Sequence, residues 1–421
     1  MAVRPGSGIV CATLAIASGS ATDPEGLPGC AHFTEHAFFS GSRRLPSAAV
    51  VAEVIGALGG VFDAVTHRDY ALFHIKAPAG TERAILDIVS DLRLHPLLSD
   101  REMDKQRSAV QHEIRMFGEQ SQRGVRELAG LALYGDTPVG RSPLGDSRVI
   151  DRLTVDHARQ FLEHAAGPER TALVVVGDVD EKSVTALARD TLGQETRRED
   201  RWSRANGSFL PPASLWRTMA SRGVVGCWAV PGVGYTATHR EMQCLRLFNT
   251  VVGGSASSRL SQKIRDEQGL SYRVRSILEP LADVGGLLTL FTCELDGLRQ
   301  ILSTVRDVLD EALTDGISDR ELARARAMTK GIYAREREDS AVHARLLALE
   351  LFRRGRFTSQ HGESSLLDSI SAEEVVDVAR RTLSADAGRC AVVGPDVSVA
   401  DLPKLGHEWA VSPLHPRPDR L

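Results

Sequence analysis

The feature that most constrains how this chain can fold is that it repeats itself once. Ser99-Asp100-Arg101-Glu102-Met103 recurs as Ser318-Asp319-Arg320-Glu321-Leu322, and Leu153-Thr154-Val155-Asp156 recurs as Ile370-Ser371-Ala372-Glu373. The apolar run 173–177 recurs as 390–394. The offsets, from residue 99 to 318, 153 to 370 and 177 to 394, are 219, 217 and 217. Three matches in order at a nearly constant offset identify two homologous halves, and the period is far too long for a solenoid. A chain of 421 residues also exceeds one typical domain. The expected division is an N-terminal domain over 1–195, a linker over 196–212 and a C-terminal domain over 213–421. The linker is read from the charged run 195–201 and from 203–212, which holds Asn206-Gly207 and Pro211-Pro212.

Both element types occur in each half. Segments 72–76, 172–176 and 286–292 have strand composition. Segments 84–92, 100–116, 155–164, 298–313 and 319–335 carry helical periodicity. The apolar run 9–17 invites comparison with a signal peptide, but it is short, Pro5 and Gly6 precede it, and Thr13 and Ser18 fit a strand. No stretch approaches the ~20 apolar residues of a membrane span. Strands and helices do not alternate as in a doubly wound sheet. The expected class is α+β: two homologous domains, each a largely antiparallel sheet with helices packed on one face.

A net charge of −4 argues against nucleic acid or an anionic membrane as partner, because both select basic patches. The six cysteines (11, 30, 227, 244, 293 and 390) are scattered and form no CxxC. That excludes a thiol metal site or a disulfide framework as the organising principle and fits a reducing, cytoplasmic setting.

The chemistry concentrates in His32-Phe33-Thr34-Glu35-His36. On a helix His32 and His36 lie one turn apart on one face, where two imidazoles can reach one Zn²⁺ at about 2.0–2.1 Å. Glu35 adjoins the second histidine and is placed to take a proton from an attacking water. The order is that of the inverted zincins, H-x-x-E-H. A pentapeptide is a weak pattern, and most helical histidine pairs are structural. Here Gly26, Pro28 and Gly29 supply a turn before a helix start, and Phe33, Phe38 and Phe39 supply an apolar face. A catalytic zinc needs a third protein ligand. Glu113, in Val110-Gln111-His112-Glu113-Ile114-Arg115-Met116, is the candidate, although most helical glutamates are simply solvated.

With these residues the sequence resembles the pitrilysin/insulinase family of zinc metallopeptidases, in the branch that includes the mitochondrial processing peptidase subunits. The family's zinc glutamate lies about 77 residues past the second histidine, and Glu113 lies 77 past His36. Leu58-Gly59-Gly60-Val61-Phe62-Asp63-Ala64 resembles the family's active-site edge strand. Pro138-Val139-Gly140-Arg141 with Leu144-Gly145 resembles a further family stretch. In the second half Gly253-Gly254-Ser255-Ala256-Ser257-Ser258-Arg259-Leu260 leads to Arg265 and Tyr272, spaced as the family's substrate-contacting arginine and tyrosine.

The resemblance implies one zinc per chain on His32, His36 and Glu113, with Glu35 as general base. It implies that Arg265 and Tyr272 hold the substrate and that Val61, Phe62, Asp63 and Ala64 bind a peptide. It further implies a chamber enclosed by paired chains, either a homodimer or a heterodimer with a related family member. Three departures stand out. Almost nothing precedes the strand at 9–17. Gln106 stands where a second acidic residue is common, removing an outer-shell carboxylate. Asp63 replaces the usual asparagine, favouring basic residues in a bound peptide. The alternative to an active endopeptidase is a non-catalytic partner or peptide-binding subunit on the same fold. Such subunits normally lose the zinc residues, and this chain retains all four.

Overall fold

The computed structural model of the chain describes residues 1–118, 120–194, 203–221, 223–398, 402–403 and 409–411. The strands are β1 (Ala2–Val3), β2 (Ile9–Ile16), β3 (Val61–Thr66), β4 (Ala71–Pro78), β5 (Thr171–Gly177), β6 (Ser214–Thr218), β7 (Gly223–Val233), β8 (Val274–Pro280), β9 (Val284–Glu294), β10 (Arg389–Gly394) and β11 (Trp409–Val411). In the first half the helices are α1 (Cys30–Phe38), α2 (Ala48–Ala57), α3 (Glu82–Leu94), α4 (Asp100–Gly118), α5 (Ser121–Tyr134), α6 (Ser147–Ile150), α7 (Val155–His164) and α8 (Glu181–Thr191). Those of the second half are α9 (His239–Val252), α10 (Leu298–Thr314), α11 (Asp319–Glu336), α12 (Ser340–Arg354), α13 (Gln360–Ser369) and α14 (Ala372–Thr382).

The repeat is written in the sheets. One runs β1-β5-β2-β4-β3 and the other β11-β6-β10-β7-β9-β8, so five strands recur in the same order. In each, the inner pairings are antiparallel, and the first strand of the repeat joins in parallel. The repeated peptides have physical reasons. Ser318 and Glu321 form a capping box opening α11: the Ser318 hydroxyl accepts from the Glu321 N–H, and the Glu321 carboxylate accepts from the Ser318 N–H. The Ser99 hydroxyl likewise accepts from the Glu102 N–H at the start of α4. Thr154 and Ser371 cap α7 and α14. The third repeat is β5 and β10. The run 9–17 is the inner strand β2, almost wholly buried. The short segment before it carries β1, two residues long and paired in parallel with β5.

The chain forms two compact units, and neither is one consecutive stretch. The first takes in Met1–Arg115, Ser142–Ala205 and Tyr333–Phe357, and the second takes in Met116–Arg141, Asn206–Ile332 and Thr358–Leu421. The expected linker, 196–212, falls outside the described residues as far as 202; from 203 to 212 it carries neither helix nor strand.

In the first unit, alternate residues of β2 face opposite ways. Val10, Ala12, Leu14 and Ile16 bury against Phe38, Val51, Ile55, Ile85 and Val89 of α1, α2 and α3. On the opposite face Ala15, Leu72, Val174 and Val176 bury against Ala344, Ala348 and Leu349 of α12. Beyond the one helical face expected, this sheet is therefore covered on its second face as well. In the second unit α5 packs on β10, β7 and β6. There the buried guanidinium of Arg389 donates to the carbonyls of Ala132 at 2.9 Å and Leu133 at 3.2 Å. A cation at a helix C-terminus satisfies carbonyls that lack partners within the helix. Among the described residues, no helix is long and apolar enough to cross a membrane.

Candidate metal centre

The helix that carries the paired histidines is set by its entry. Gly29 caps α1 in the left-handed region, with φ of +96°. A side chain at Gly29 would meet the Gly145 Cα at 2.8 Å, and one at Gly145 would meet the Gly29 Cα at 2.4 Å, so both must be glycine. Asp23 then receives the N–H groups of Gly29 and Ala31, each at 2.7 Å, on its two carboxylate oxygens. This places a negative charge at the positive end of α1. The helix is fastened by its apolar side: Phe38 stacks on Phe73 of β4 with centroids 4.1 Å apart. Its other flank, Cys30, Ala31, Phe33 and Ala37, buries with Met103, Val110 and Ile114 of α4. The contact between α1 and α4 turns Glu113, the neighbour of Ile114, toward the histidines.

His32, His36 and Glu113 come together as the sequence predicts, with ligating atoms within 4.8 Å of one another. Oε2 of Glu113 lies 3.3 Å from Nε2 of His32 and 3.2 Å from Nε2 of His36. A tetrahedral zinc with bonds of 2.0–2.1 Å separates its donor atoms by about 3.3 Å, so these two separations fit the ion. Two imidazole nitrogens and one carboxylate are also the donor set of a catalytic zinc with a fourth position open.

The electrostatics follow from this packing. Burial pushes the Glu113 carboxyl up, but hydrogen bonds from His32 and His36 outweigh it and hold the group well below the usual carboxylate range. Burial lowers the His36 imidazole, while the bond to Glu113 and the charges of Glu35 and Glu113 overcome this and raise it. His36 Nδ1 lies 3.4 Å from Oε1 of Gln106. His32 is 4% exposed, and its Nδ1 has no hydrogen-bond partner among the described residues.

Glu35 is half-buried, and its Oε2 accepts a 2.6 Å hydrogen bond from the Thr66 hydroxyl at the end of β3. Val61 to Thr66 form the outer strand of the first sheet, paired only with β4 among the described residues. Val61, Asp63 and Val65 are exposed, while Phe62 and Ala64 are half-buried against the core. Arg265 and Tyr272 belong to the other compact unit. Arg265 lies in the π-helical turn Ser261–Glu267, a geometry frequent at functional sites, and donates to Asp266 at 2.7 Å. Tyr272 is 84% exposed, which excludes a packed core role.

Two contributors were not legible in the sequence. Asp23 stands six residues before Gly29, outside the usual capping window, so no local pattern marks it. Thr66 lies 31 residues from Glu35, and nothing in its own segment announces the contact.

A helix-borne His/His/Glu set on a twice-repeated α+β scaffold defines a candidate metal-binding protein, and comparison with known proteins gives the family. Residues 4–147 match the insulinase model, peptidase family M16, and residues 152–329 match the M16 inactive domain model. The chain belongs to the M16 peptidase family. It is 29% identical over 396 residues to an uncharacterized zinc protease of Mycobacterium tuberculosis, covering 92% of this chain and 88% of that one. To a Bacillus subtilis zinc protease, YmxG, it is 27% identical over 319 residues, covering 75% and 76%. An M16 inactive-domain structure from Pseudomonas fluorescens aligns with a TM-score of 0.84 at 18% identity, covering 94% of this chain and 95% of that one. A Helicobacter pylori protease structure also aligns at 0.84, with 17% identity and coverage of 94% and 96%. These two share the fold.

Proposed function

We propose that the chain is a zinc-dependent endopeptidase acting on peptides or unfolded segments, with one zinc on His32, His36 and Glu113 and with Glu35 as general base. The observation that carries this reading is that the Nε2 atoms of His32 and His36, on the helix that also bears Glu35, converge on one oxygen of Glu113 from α4. Zinc bound there would supply Lewis acidity, polarising a carbonyl oxygen and acidifying water. Glu35 takes the proton of the attacking water and returns it to the leaving amine. A non-catalytic partner subunit is the alternative, and the intact donor set favours the peptidase.

The substrate enters this reading as an added strand on the outer edge of β3, a recognition mode in which main-chain hydrogen bonds supply affinity. Val61, Phe62, Asp63 and Ala64 are the residues assigned to it, and the exposed Asp63 carboxylate favours basic residues. Arg265 and Tyr272 are assigned to the substrate carbonyl, in a chamber closed by a second copy or a related chain. The exposure of Tyr272 supports this assignment. Net charge supports neither a nucleic-acid nor a membrane partner, and six free cysteines support a cytoplasmic setting.

Elemental analysis with cleavage of an unstructured peptide library tests the reading. The expected result is one zinc per chain with hydrolysis, and loss of both in a His32→Ala/His36→Ala variant. Undiminished zinc in that variant would sink the metal assignment.

A further inference from the structure

We infer that Thr66 is a positioning residue for the general base, holding Glu35 by one carboxylate oxygen so that the other stays free to accept a proton. The inference rests on the reading of Glu35 as base. Its observation is the 2.6 Å bond from Thr66 Oγ1 to Glu35 Oε2. Bonds of this kind, from a hydroxyl to a carboxylate, are short and about twice as strong as neutral ones. The donor is itself stiff: threonine is β-branched and restricted at χ1. A glutamate side chain otherwise keeps considerable rotamer freedom, and ordering it before reaction lowers the entropic part of the barrier.

The backbone that presents Thr66 is held from the same segment that sets α1. The turn after β3 closes with the His67 N–H donating to the Tyr70 carbonyl at 2.8 Å. The Ser20 and Ala21 N–H groups donate to the carbonyls of His67 at 3.0 Å and Arg68 at 2.9 Å. Gly19 lies so close that a Cβ there would come 1.9 Å from the His67 oxygen. Four residues on, Asp23 caps the N-terminus of α1. Segment 19–23 thus anchors both the strand end bearing Thr66 and the helix bearing Glu35. The bond between the two side chains joins elements already fixed in place. It also ties the base to β3, the outer strand of the sheet.

The test compares Thr66→Val, which keeps the shape and removes the hydroxyl, with Thr66→Ser, which keeps the hydroxyl. Thr66→Val should lower kcat about tenfold, a part of the roughly 10²–10⁴-fold that general-base catalysis contributes, with KM and zinc content unchanged. Thr66→Ser should recover most of the rate. A crystal structure of Thr66→Val gives a readout independent of turnover, and the Glu35 carboxylate should leave its wild-type position. Unchanged kcat, loss of zinc, an equal deficit in Thr66→Ser, or a Glu35 carboxylate still in place would each overturn the inference. If wild-type protein holds zinc and hydrolyses nothing, the peptidase reading fails instead, and the crystal structure alone decides whether Thr66 holds Glu35.

Discussion

Gln106 Oε1 lies 3.4 Å from Nδ1 of His36, and Gln106 precedes Glu113 by seven residues, two turns of the same helix. One face of α4 therefore supplies both a candidate ligand and the outer partner of another candidate ligand. An amide oxygen only accepts, so a hydrogen bond here takes its proton from Nδ1, and a neutral imidazole held this way offers the lone pair of Nε2 to a metal. The amide orients His36 as a carboxylate would, without its charge. Outer partners of this type typically contribute 10–100-fold to metal affinity. We expect Gln106→Leu to weaken zinc binding about tenfold and Gln106→Glu to tighten it, measured by competition with a chromophoric chelator. Equal affinity in all three proteins would show that the contact does not support the metal.

Glu35→Gln preserves the shape of the side chain and its acceptor for Thr66 while removing the proposed base. Zinc should stay at one per chain, and hydrolysis should fall by roughly 10²–10⁴-fold. Near-normal turnover would remove Glu35 from the mechanism.

Tyr272→Phe and Arg265→Ala should lower the rate without changing zinc content or folding, since both side chains are on the surface of the second unit. Loss of one donor to the oxygen that becomes negative typically costs about 10²–10³-fold. If the site is shared between chains, mixing Glu35→Gln with Tyr272→Phe protein should restore part of the activity, with subunit exchange verified by mass. No recovery despite exchange would place both contributions in one chain.

His343, on α12, gives the fold an acid limit. Burial depresses its imidazole to about 4, helped by the charges of Arg337 and Arg4. An unfolded histidine takes up its proton near pH 6.5, so between about 6.5 and 4 the unfolded chain binds more protons than the folded one. Stability is fully present above that window and falls as pH drops through it. The melting temperature of the first unit should decline by a few degrees or more over this range, at about 2–4 °C per kcal/mol for a unit of roughly 200 residues. His343→Gln should flatten the decline, and an unchanged slope in that variant would assign the acid sensitivity elsewhere.

Much of this was legible in the chain itself because the signals are short-range. The H-x-x-E-H segment predicts its own geometry, since a helix places residues four apart on one face. Helix 155–164 and the run beginning at Ile9 could be read from periodicity and flanking residues, and their ends agree with α7 and β2 to within a residue. The repeat showed that one topology would occur twice. Glu113 is intermediate: its helix was evident, but its selection among many helical glutamates came from the family spacing.

What only the tertiary structure decided is which faces meet. An apolar helical face records that it must be buried, not against which sheet. α5 and α12 start at 121 and 340, one repeat apart, and each packs on the sheet built mainly by the other half of the chain. Nothing in either helix states that exchange. The same holds for Thr66 with Glu35, Asp23 with α1, and Gln106 with His36. Each is a polar contact that no local pattern specifies, 31 and 70 residues apart in the first and last cases, and a hydrogen bond over 2.6–3.4 Å exists only once folding has brought its two ends together.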